Sequence, residues 1–585
     1  MASLDTLPEE LISRILEYID IEHLSLASRG YHRRFYIYSR QKLVIRFRKT
    51  GESDTFICML KPAFLESGDS KSNHPWGMAR SLEFSAPIYP HSGTTWHMGC
   101  CVPESILGPS GYISKEQPCI STLYLTTGKR CTCATSLDGI TSLHQLKAFS
   151  WDGVASAADR EIFRSAVRKN AGTLTSLGVG VLNAIEEGGR NDLILEELGV
   201  LLPVSKAAPA GQKPYLRCLQ HLSLGRLRLG ECFGGREFAF KMESLQSLNL
   251  VDCYGTTEFF EALLVAGLYL NLRSLKITIA EEEWGMEGLH MFSSSPLGKV
   301  LASFSSLEEL TILTNNKSGY YQRVGKTLRN TTETLPVSSH AKTLRRLIYQ
   351  IFCTGGSDGL YVGGCDFQLD SRFPARNLLE SLPRLECLGI WILPTTLRME
   401  IQSAESSQSL RILHFRVDGS PTAVDVVQLL VGSGYPRELI PVLMRKGRQY
   451  DRPRNLETTE YTLALSQLVE FATWAFGPVG FPNLEVIAFG NFSSEPCRWS
   501  RVLLRRDPYG GQRSLSPQWV PNWSRRILGY GPYGVGQPDE YSNPLPFKLI
   551  HPDSVYPVIG VDGAWDFLRE SRVGHAFGAL PSTYL

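Results

Sequence analysis

A short leucine pattern that returns along most of the chain constrains its fold more than any other feature of the sequence. The clearest copy is residues 245–253, Leu-Gln-Ser-Leu-Asn-Leu-Val-Asp-Cys, which fits L-x-x-L-x-L-x-x-N/C. Alternate apolar residues of such a short strand point inward, and only stacked neighbouring copies bury them as one core. The L-x-x-L-x-apolar core begins at Leu174, Leu219, Leu272, Leu307, Leu344, Leu385 and Leu410, with a variant at Leu484 and a weaker copy at Leu143.

The spacing of these copies predicts irregular repeats. Successive intervals from Leu219 are 26, 27, 35, 37, 41 and 25 residues, so several repeats carry insertions. Residues 256–264 and 377–382 have helical patterns between two strands. A strand and a helix per unit, joined by right-handed crossovers, predict an α/β fold: an irregular leucine-rich-repeat-like solenoid with parallel strands and helices. A doubly wound domain would have fewer, longer strands, which excludes it.

The longest interruption of the repeats lies between Leu410 and Leu484. It contains two helical patterns, at residues 423–431 and 461–475, separated by a basic, proline-bearing segment at 445–454. Long insertions in solenoids often lie on the binding face, but they are also tolerated as surface loops, and both interpretations remain open. After Phe492 the chain is rich in Pro, Gly, Trp and Tyr, which favours a terminal cap that covers the last layer. Trp565, Phe567 and Leu568 are the candidate residues for that role.

The first forty residues form a second, different pattern. Thr6 and Glu9 are spaced for a capping box, and Pro8 fits the first turn of a helix. Behind them, apolar residues recur at three- and four-residue spacing, and a second helical pattern runs from Leu24 to Tyr38. The stripe on the first helix consists of Leu11, Ile12, Ile15, Leu16 and Ile19.

This hairpin resembles an F-box, the helical module that docks a substrate receptor onto a Skp-type adaptor in a cullin ubiquitin ligase. The residues that match are Leu7, Pro8, Glu9, Leu11, Ile12, Ile15, Leu16, Ile19, Leu24, Leu26, Ser28 and Arg29. The resemblance implies that the adaptor is bound by Leu7, Pro8, Leu11, Ile12, Ile15, Leu16, Ile19, Leu24 and Leu26. The join at residues 20–24 is a few residues shorter than the family's usual connection. The alternative is an ordinary amphipathic hairpin that packs on its own domain.

These patterns divide the chain into four parts. Residues 1–42 are the F-box-like module, and residues 43–118 are a loop-rich connector and N-terminal cap that begins with a strand pattern at Leu43, Ile45 and Phe47. Residues 119–495 are the irregular solenoid, with its insertion at about 420–480, and residues 496–585 are the C-terminal cap.

Composition limits the cellular compartments and the classes of partner that we expect for this protein. The formal net charge of the 585 residues is +2, which gives no argument for a nucleic-acid or membrane partner. The basic stretch of residues 29–49 contains aromatic residues, but a solvated helix face explains it better than nucleic-acid binding. Asp5, Glu9 and Glu10 stand where a signal peptide would be basic and then apolar. The 13 cysteines are scattered and are interpreted as reduced thiols. We therefore expect an intracellular protein, cytoplasmic or nuclear or both.

The sequence contains no convincing enzyme or metal signature. Residues 529–534 match G-x-G-x-x-G, but Pro532 and Pro538 prevent the helix that would hold a pyrophosphate. Several zinc-ligand residue types cluster without the spacing of zinc knuckles, so buried thiols are the commoner explanation and zinc stays open. They are Cys100, Cys101, Cys119, Cys131 and Cys133, with His91 and His97. No catalytic, cofactor-binding or metal-binding residue is predicted.

Together, the hairpin and the array resemble the substrate receptors of Skp–cullin–F-box ubiquitin ligases, of the degenerate leucine-rich-repeat type common in filamentous fungi. The resemblance implies a non-catalytic subunit whose F-box docks on the adaptor and whose solenoid binds a target protein. Two alternatives remain: a leucine-rich-repeat scaffold without a link to ubiquitination, and an enzyme whose site is assembled from distant residues.

Overall fold

The structure of this chain is a computed structural model that divides into two compact units, one of residues 1–227 with 236–241 and one of residues 228–235 with 242–585. It describes residues 42–46, 81–85, 107–109, 120–127, 137–181, 216–229, 240–267, 270–280, 295–316, 337–353, 375–390, 394–401, 408–415, 459–489, 502–506 and 547–550.

The first unit contains six parallel strands that pair in chain order. A 3₁₀ helix, Asp138–Ser142, precedes β4, and helix α1, Ala157–Lys169, connects β4 to β5. The strands are β1 (Lys42–Arg46), β2 (Ser81–Ser85), β3 (Thr122–Thr126), β4 (Ala148–Val154), β5 (Ser176–Val181) and β6 (His221–Gly225). The parallel pairing therefore already includes two strands that lie N-terminal to residue 119.

The second unit continues the same strand-and-helix alternation. Its strands β7 to β13 pair in parallel, and β14 and β15 then pair antiparallel. The strands are β7 (Ser247–Cys253), β8 (Ser274–Ala280), β9 (Glu309–Asn316), β10 (Arg346–Cys353), β11 (Cys387–Ile390), β12 (Ile412–Phe415), β13 (Val486–Phe489), β14 (Val502–Arg506) and β15 (Phe547–Ile550). The helices are α2 (Thr256–Val265), α3 (Pro296–Ala302), α4 (Ala375–Ser381), α5 (Pro394–Ile401) and α6 (Thr459–Phe476), with 3₁₀ helices Met242–Ser244 and Ser338–His340.

The leucine pattern locates the strands correctly. From Leu174 to Leu484, each predicted strand starts two residues after the first leucine of its copy, as in Leu245 and Ser247 or Leu410 and Ile412. The weaker copy at Leu143 is wrong by three residues. Leu143 follows the 3₁₀ helix, and Leu146 holds the first position of the repeat that contains β4. Both registers place apolar residues at the leucine positions, and the observed one also buries Phe149 and Trp151.

One backbone motif links successive repeats within each unit. We number the positions of each repeat from its first leucine. The amides of positions two and three both donate to the carbonyl oxygen of position two in the preceding repeat. In the first unit, Thr175 N and Ser176 N lie 2.8 and 3.0 Å from Lys147 O. In the second unit, the amides of Arg411 and Ile412 lie 2.8 and 2.9 Å from Glu386 O. Because the motif recurs in both units, the strands start in a common register despite the unequal intervals.

Three predicted helices are confirmed as α2, α4 and α6. Helix α2 begins without a side-chain cap. Gly255 is the N-cap, in a left-handed conformation, and the Thr256 hydroxyl donates to the Cys253 carbonyl at 3.0 Å. Helix α1 has a full capping box, in which the Ser156 side chain accepts from Asp159 N and the Asp159 carboxylate accepts from Ser156 N. Capping of this kind satisfies amides that a helix start leaves without partners.

Both faces of several strands are buried. The leucines at the first repeat position are 0–1% exposed in all copies from Leu174 to Leu484. The outward positions of β4 and β5 are also buried, including Ser150, Asp152 and Ser176. The short strands β11, β12 and β13 are buried at every residue. This distinguishes them from β7, whose outward Ser247 and Asn249 are half-buried.

The described residues therefore form a mixed α/β structure with a mostly parallel sheet in each unit, and neither sheet closes into a barrel. None of the helices within the described ranges has the length and apolar character needed to cross a membrane. Several predictions fall outside the described residues: the F-box-like hairpin, the helix at 423–431, the basic segment at 445–454, the glycine motif at 529–534, and Trp565, Phe567 and Leu568.

Candidate functional site

A buried ion pair is the most unusual polar feature of the first unit. Asp152 lies on β4 and Arg226 directly follows β6, and the two residues are 2% and 4% exposed. Arg226 Nη2 pairs with Asp152 Oδ1, and Arg226 Nε donates to the Val181 carbonyl at 2.6 Å. The guanidinium thus reaches from the end of β6 across β5 to β4.

Glycines create the space for this pair. Asp152 is in register with Gly180, and Gly180 with Gly225, so all three occupy the seventh position of their repeats. A Cβ atom at Gly180 would collide with Asp152 Oδ1 and lie 3.2 Å from Arg226 Nη2. Any side chain at this position would therefore displace the ion pair.

The backbone around the pair is bent at two places. Arg226 has φ 56° and Gly153 has φ 105°, and the strand register shifts between Asp152 and Val154. A left-handed conformation is unfavourable for a residue with a Cβ atom such as arginine, so the surrounding contacts must hold it. Thr127 holds the bend at Gly153, because its hydroxyl donates to the Gly153 carbonyl and its amide to the Asp152 carbonyl, at 2.9 and 2.8 Å.

The electrostatics of the pair favour a structural role. Burial raises the pKa of the Asp152 carboxyl, and the charge and hydrogen bond of Arg226 offset part of that rise. Taking two charges out of water costs several kcal/mol per ion, which a well-placed partner repays only in part. Since the carboxylate is engaged by the guanidinium, the arrangement fixes β4, β5 and β6 against one another and does not supply a general acid or base.

A row of alternating charges is the corresponding polar feature of the second unit. The second position of successive repeats holds arginine and glutamate in turn. Arg273 Nη1 lies 3.9 Å from Glu308 Oε1, Arg345 Nη1 lies 3.4 Å from Glu386 Oε1, and Arg411 Nη2 lies 2.6 Å from Glu485 Oε1. The row consists of Arg273, Glu308, Arg345, Glu386, Arg411 and Glu485, and we call it the charge ladder. A further ion pair joins Arg346 and Glu309, which occupy the third position of their repeats.

The end of the charge ladder is closed by Arg506 on β14. Its amide donates to Glu485 O at 3.0 Å, which repeats the backbone motif in an antiparallel strand. Its side chain donates to the carbonyls of Leu484 and Phe481 and lies over the Phe476 ring, with 5.6 Å from Cζ to the centroid. Arg506 therefore satisfies carbonyl groups that a further repeat would otherwise bond.

Burial favours the neutral forms of two histidines and one cysteine among the described residues. Burial lowers the pKa of His221 and of His340, which favours their neutral forms. Burial raises the pKa of the Cys387 thiol to about 12, so it is not a thiolate near neutral pH. Within the described residues, no group of three His, Cys, Asp or Glu side chains is placed to hold a metal ion.

Every residue predicted to bind the adaptor lies outside the described residues, as do the cysteines and histidines of the possible zinc cluster. Asp152 and Arg226 were not predicted from the sequence. The signal that could have indicated them is Leu-Gly-Val-Gly-Val at residues 177–181, where glycine occupies two successive outward positions of a strand. Glycine weakens a strand interior, and it often marks a close approach of other groups.

Comparison with known proteins adds no family name. No protein-family model matches the sequence, and no curated protein matches it either.

Proposed function

We propose that this protein is the substrate-recognition subunit of a Skp–cullin–F-box type ubiquitin ligase. The observation that carries the proposal is the N-terminal sequence Leu7-Pro8-Glu9-Glu10-Leu11-Ile12 with its apolar stripe, followed by a long array of strand-and-helix repeats. The stripe docks on a Skp-type adaptor, and through it on a cullin. The repeats bind the target protein.

We further propose that the repeats of both units are those of an irregular leucine-rich-repeat-like solenoid. The parallel pairing in chain order, the buried first leucine of each copy and the shared backbone motif support this assignment. The repeats of each unit bury their leucines in a core of their own. The stripe of residues 11–19 is therefore available to a partner, which favours the F-box over a self-packed hairpin.

Docking of the first helix is energetically reasonable. Five buried aliphatic side chains contribute roughly 7–15 kcal/mol gross, at about 1.5–3 kcal/mol each. Association entropy and side-chain ordering offset a large part of that sum and leave a specific complex. The protein itself catalyses nothing in this scheme. It holds the lysine of a target near a ubiquitin thioester, and such proximity raises the effective concentration of the two groups. Such a subunit acts inside the cell, in the cytoplasm or the nucleus.

An adaptor pull-down tests the proposal. Full-length protein should retain a purified Skp-type adaptor, and the variant Leu11→Asp/Ile15→Asp should not, because two charges in the stripe cannot be desolvated. The control is Ser13→Asp/Arg14→Asp, which alters the same segment outside the stripe and should leave binding intact. Equal recovery of the adaptor by the stripe variant and the wild type would reject the assignment.

The second candidate is a leucine-rich-repeat scaffold in which the hairpin caps the array. Deleting residues 1–40 separates the two functions. A receptor keeps a folded array that melts cooperatively, whereas an array that has lost its cap melts without cooperativity. Circular dichroism during heating measures this difference, and a loss of cooperativity would favour the scaffold.

A further inference from the structure

A cluster of basic side chains lies at one edge of the first unit, where β4, β5 and β6 begin and α1 ends. Lys147 occupies the second repeat position before β4, and Arg168 and Lys169 form the last turn of α1. All three are exposed, as are His144 and Arg217 nearby. We call Lys147, Arg168 and Lys169 the basic edge.

Hydrogen bonds from one buried residue hold the basic edge together. Asn170, which ends α1, is 1% exposed. Its Oδ1 accepts from Leu146 N at 2.9 Å, and its Nδ2 donates to the Leu143 carbonyl at 2.8 Å. Lys169 Nζ also donates to the Thr141 carbonyl at 2.7 Å. The end of α1 is therefore fixed beside the segment that carries Lys147.

Basic residues outnumber acidic ones at this edge within residues 137–181 and 216–229. Asp159 lies at the opposite end of α1 and Glu161 follows it there, and Asp152 is buried against Arg226. Asp138, on the 3₁₀ helix, is the one acidic residue in those ranges that lies on the same side of α1 as its last turn. The dipole of α1 stabilises cations in its last turn, but it does not account for Lys147 on the strand side.

The charges at the second repeat position of the second unit balance one another. There the second repeat position belongs to the charge ladder, in which arginine faces glutamate from one repeat to the next. In the first unit that position holds Ser121, Lys147, Thr175 and Gln220 instead. Among the described residues, the basic edge therefore carries an excess of positive charge, whereas the charges of the ladder balance.

We propose that the basic edge binds an acidic segment of a partner protein. Its exposed neighbours are Gln145, Gly172, Thr173 and Gln220, which offer hydrogen bonds and little bulk to an extended chain. Proteins that bind single-stranded nucleic acid combine basic residues with aromatic rings for base stacking. Among the described residues of this edge there is no exposed Phe, Tyr or Trp, so the chemistry favours carboxylate side chains. None of the three residues is among those predicted to bind the adaptor, and the test does not depend on adaptor binding.

Fluorescence anisotropy of a labelled peptide of alternating Glu and Gly, titrated with the full-length protein, tests the proposal. Binding should occur, should weaken as salt screens the charges, and should be absent for a Ser-Gly peptide. The variant Lys147→Gln/Arg168→Gln/Lys169→Gln should raise the Kd by about tenfold or more. The control Lys299→Gln/Lys342→Gln/Arg384→Gln removes three exposed charges from the second unit and should bind like the wild type.

Two further variants keep the test independent of folding. The charge-preserving variant Lys147→Arg/Arg168→Lys/Lys169→Arg should retain binding. Lys147→Gln alone, which leaves α1 unchanged, should raise the Kd by about two- to fivefold. The proposal is overturned if the Glu-Gly peptide does not bind or if the triple Gln variant binds it as the wild type does. It is equally overturned if a single-stranded DNA binds more tightly through the same three residues.

Discussion

At the scale of single residues, the contact between Asp152 and Arg226 depends on both partners. Asp152→Ala leaves a buried guanidinium without its counter-ion, and we expect it to destabilise β4–β6 by about 3–5 kcal/mol. The variant Asp152→Ala/Arg226→Met removes both charges and should cost less than the sum of the two single changes. Native-state hydrogen exchange of amides in β4, β5 and β6 measures the loss. Additive costs would show that the pair is not coupled.

Gly180 provides a second test at this scale, because a Cβ there has no room. Gly180→Ala pushes the new carbon against Asp152 Oδ1 and within 3.2 Å of Arg226 Nη2. Overpacking of this kind typically costs about 1–3 kcal/mol. Gly172→Ala is a matched control, since a Cβ at Gly172 meets nothing within 4 Å. The two variants should differ clearly in thermal unfolding, and equal midpoints would contradict the crowding at Gly180.

His340 should make the second unit less stable in acid. Burial lowers its pKa, and the nearby carbonyl groups of Leu301 and Ser305 offset part of that lowering. The unfolded chain then binds a proton more readily than the folded one. The contribution of neutral His340 to stability is therefore present above the ordinary pKa of 6.5 and is lost as pH falls below that value.

Urea unfolding near neutral pH and at mildly acidic pH measures this effect. His340→Leu keeps an apolar side chain beside Phe304, whose ring centroid lies 4.8 Å from that of His340. The difference in unfolding free energy between the two pH values should be smaller in this variant than in the wild type. His221, which burial also keeps neutral, acts in the same direction and leaves a residual dependence. If the difference in unfolding free energy between the two pH values is the same in the variant and the wild type, His340 does not contribute to the pH dependence of stability.

At the scale of elements, the charge ladder predicts that swapping the two charges of one ion pair leaves the protein less stable than the wild type, even though the pair itself is remade. Arg411 and Glu485 are 32% and 34% exposed, and removing one of them should cost about 0.2–1 kcal/mol. The exchange Arg411→Glu/Glu485→Arg remakes that pair but places a glutamate on the repeat next to Glu386. Adding Arg273→Glu, Glu308→Arg, Arg345→Glu and Glu386→Arg restores the alternation along the whole ladder, because the preceding second position is the neutral Gln246. Chemical unfolding should rank this sixfold exchange above the twofold one, and the reverse order would contradict a continuous ladder.

The elements were largely predictable from the sequence, and the polar details were not. Strand starts from Ser176 to Val486 follow from L-x-x-L because buried leucines leave one register. At Leu143 and Leu146 two registers fit the same apolar pattern, and only the packing of Phe149 and Trp151 distinguishes them. The pair of Asp152 and Arg226 joins residues 74 positions apart. The two residues become neighbours only when β4 and β6 are aligned on either side of β5. The spacing of residues along the chain does not encode that alignment.

At the scale of the whole molecule, two kinds of surface have separate tasks in this account. We propose that the N-terminal stripe around Leu11 and Ile15 binds a Skp-type adaptor and that the repeats bind the target. The buried outward faces of β4, β5 and β11–β13 leave little room for a target on those strands. Target binding is therefore expected at the edges of the strands, of which the basic edge is one.

Assembly with purified components tests the central claim most directly. The full chain, a Skp-type adaptor and a cullin are mixed, and size-exclusion chromatography with light scattering determines the mass of the complex. We expect one stoichiometric complex of all three proteins. The variant Leu11→Asp/Ile15→Asp should abolish this complex and leave the melting transition of the repeats unchanged. A chain that elutes alone from the mixture, or a complex that the stripe variant forms equally well, would contradict it.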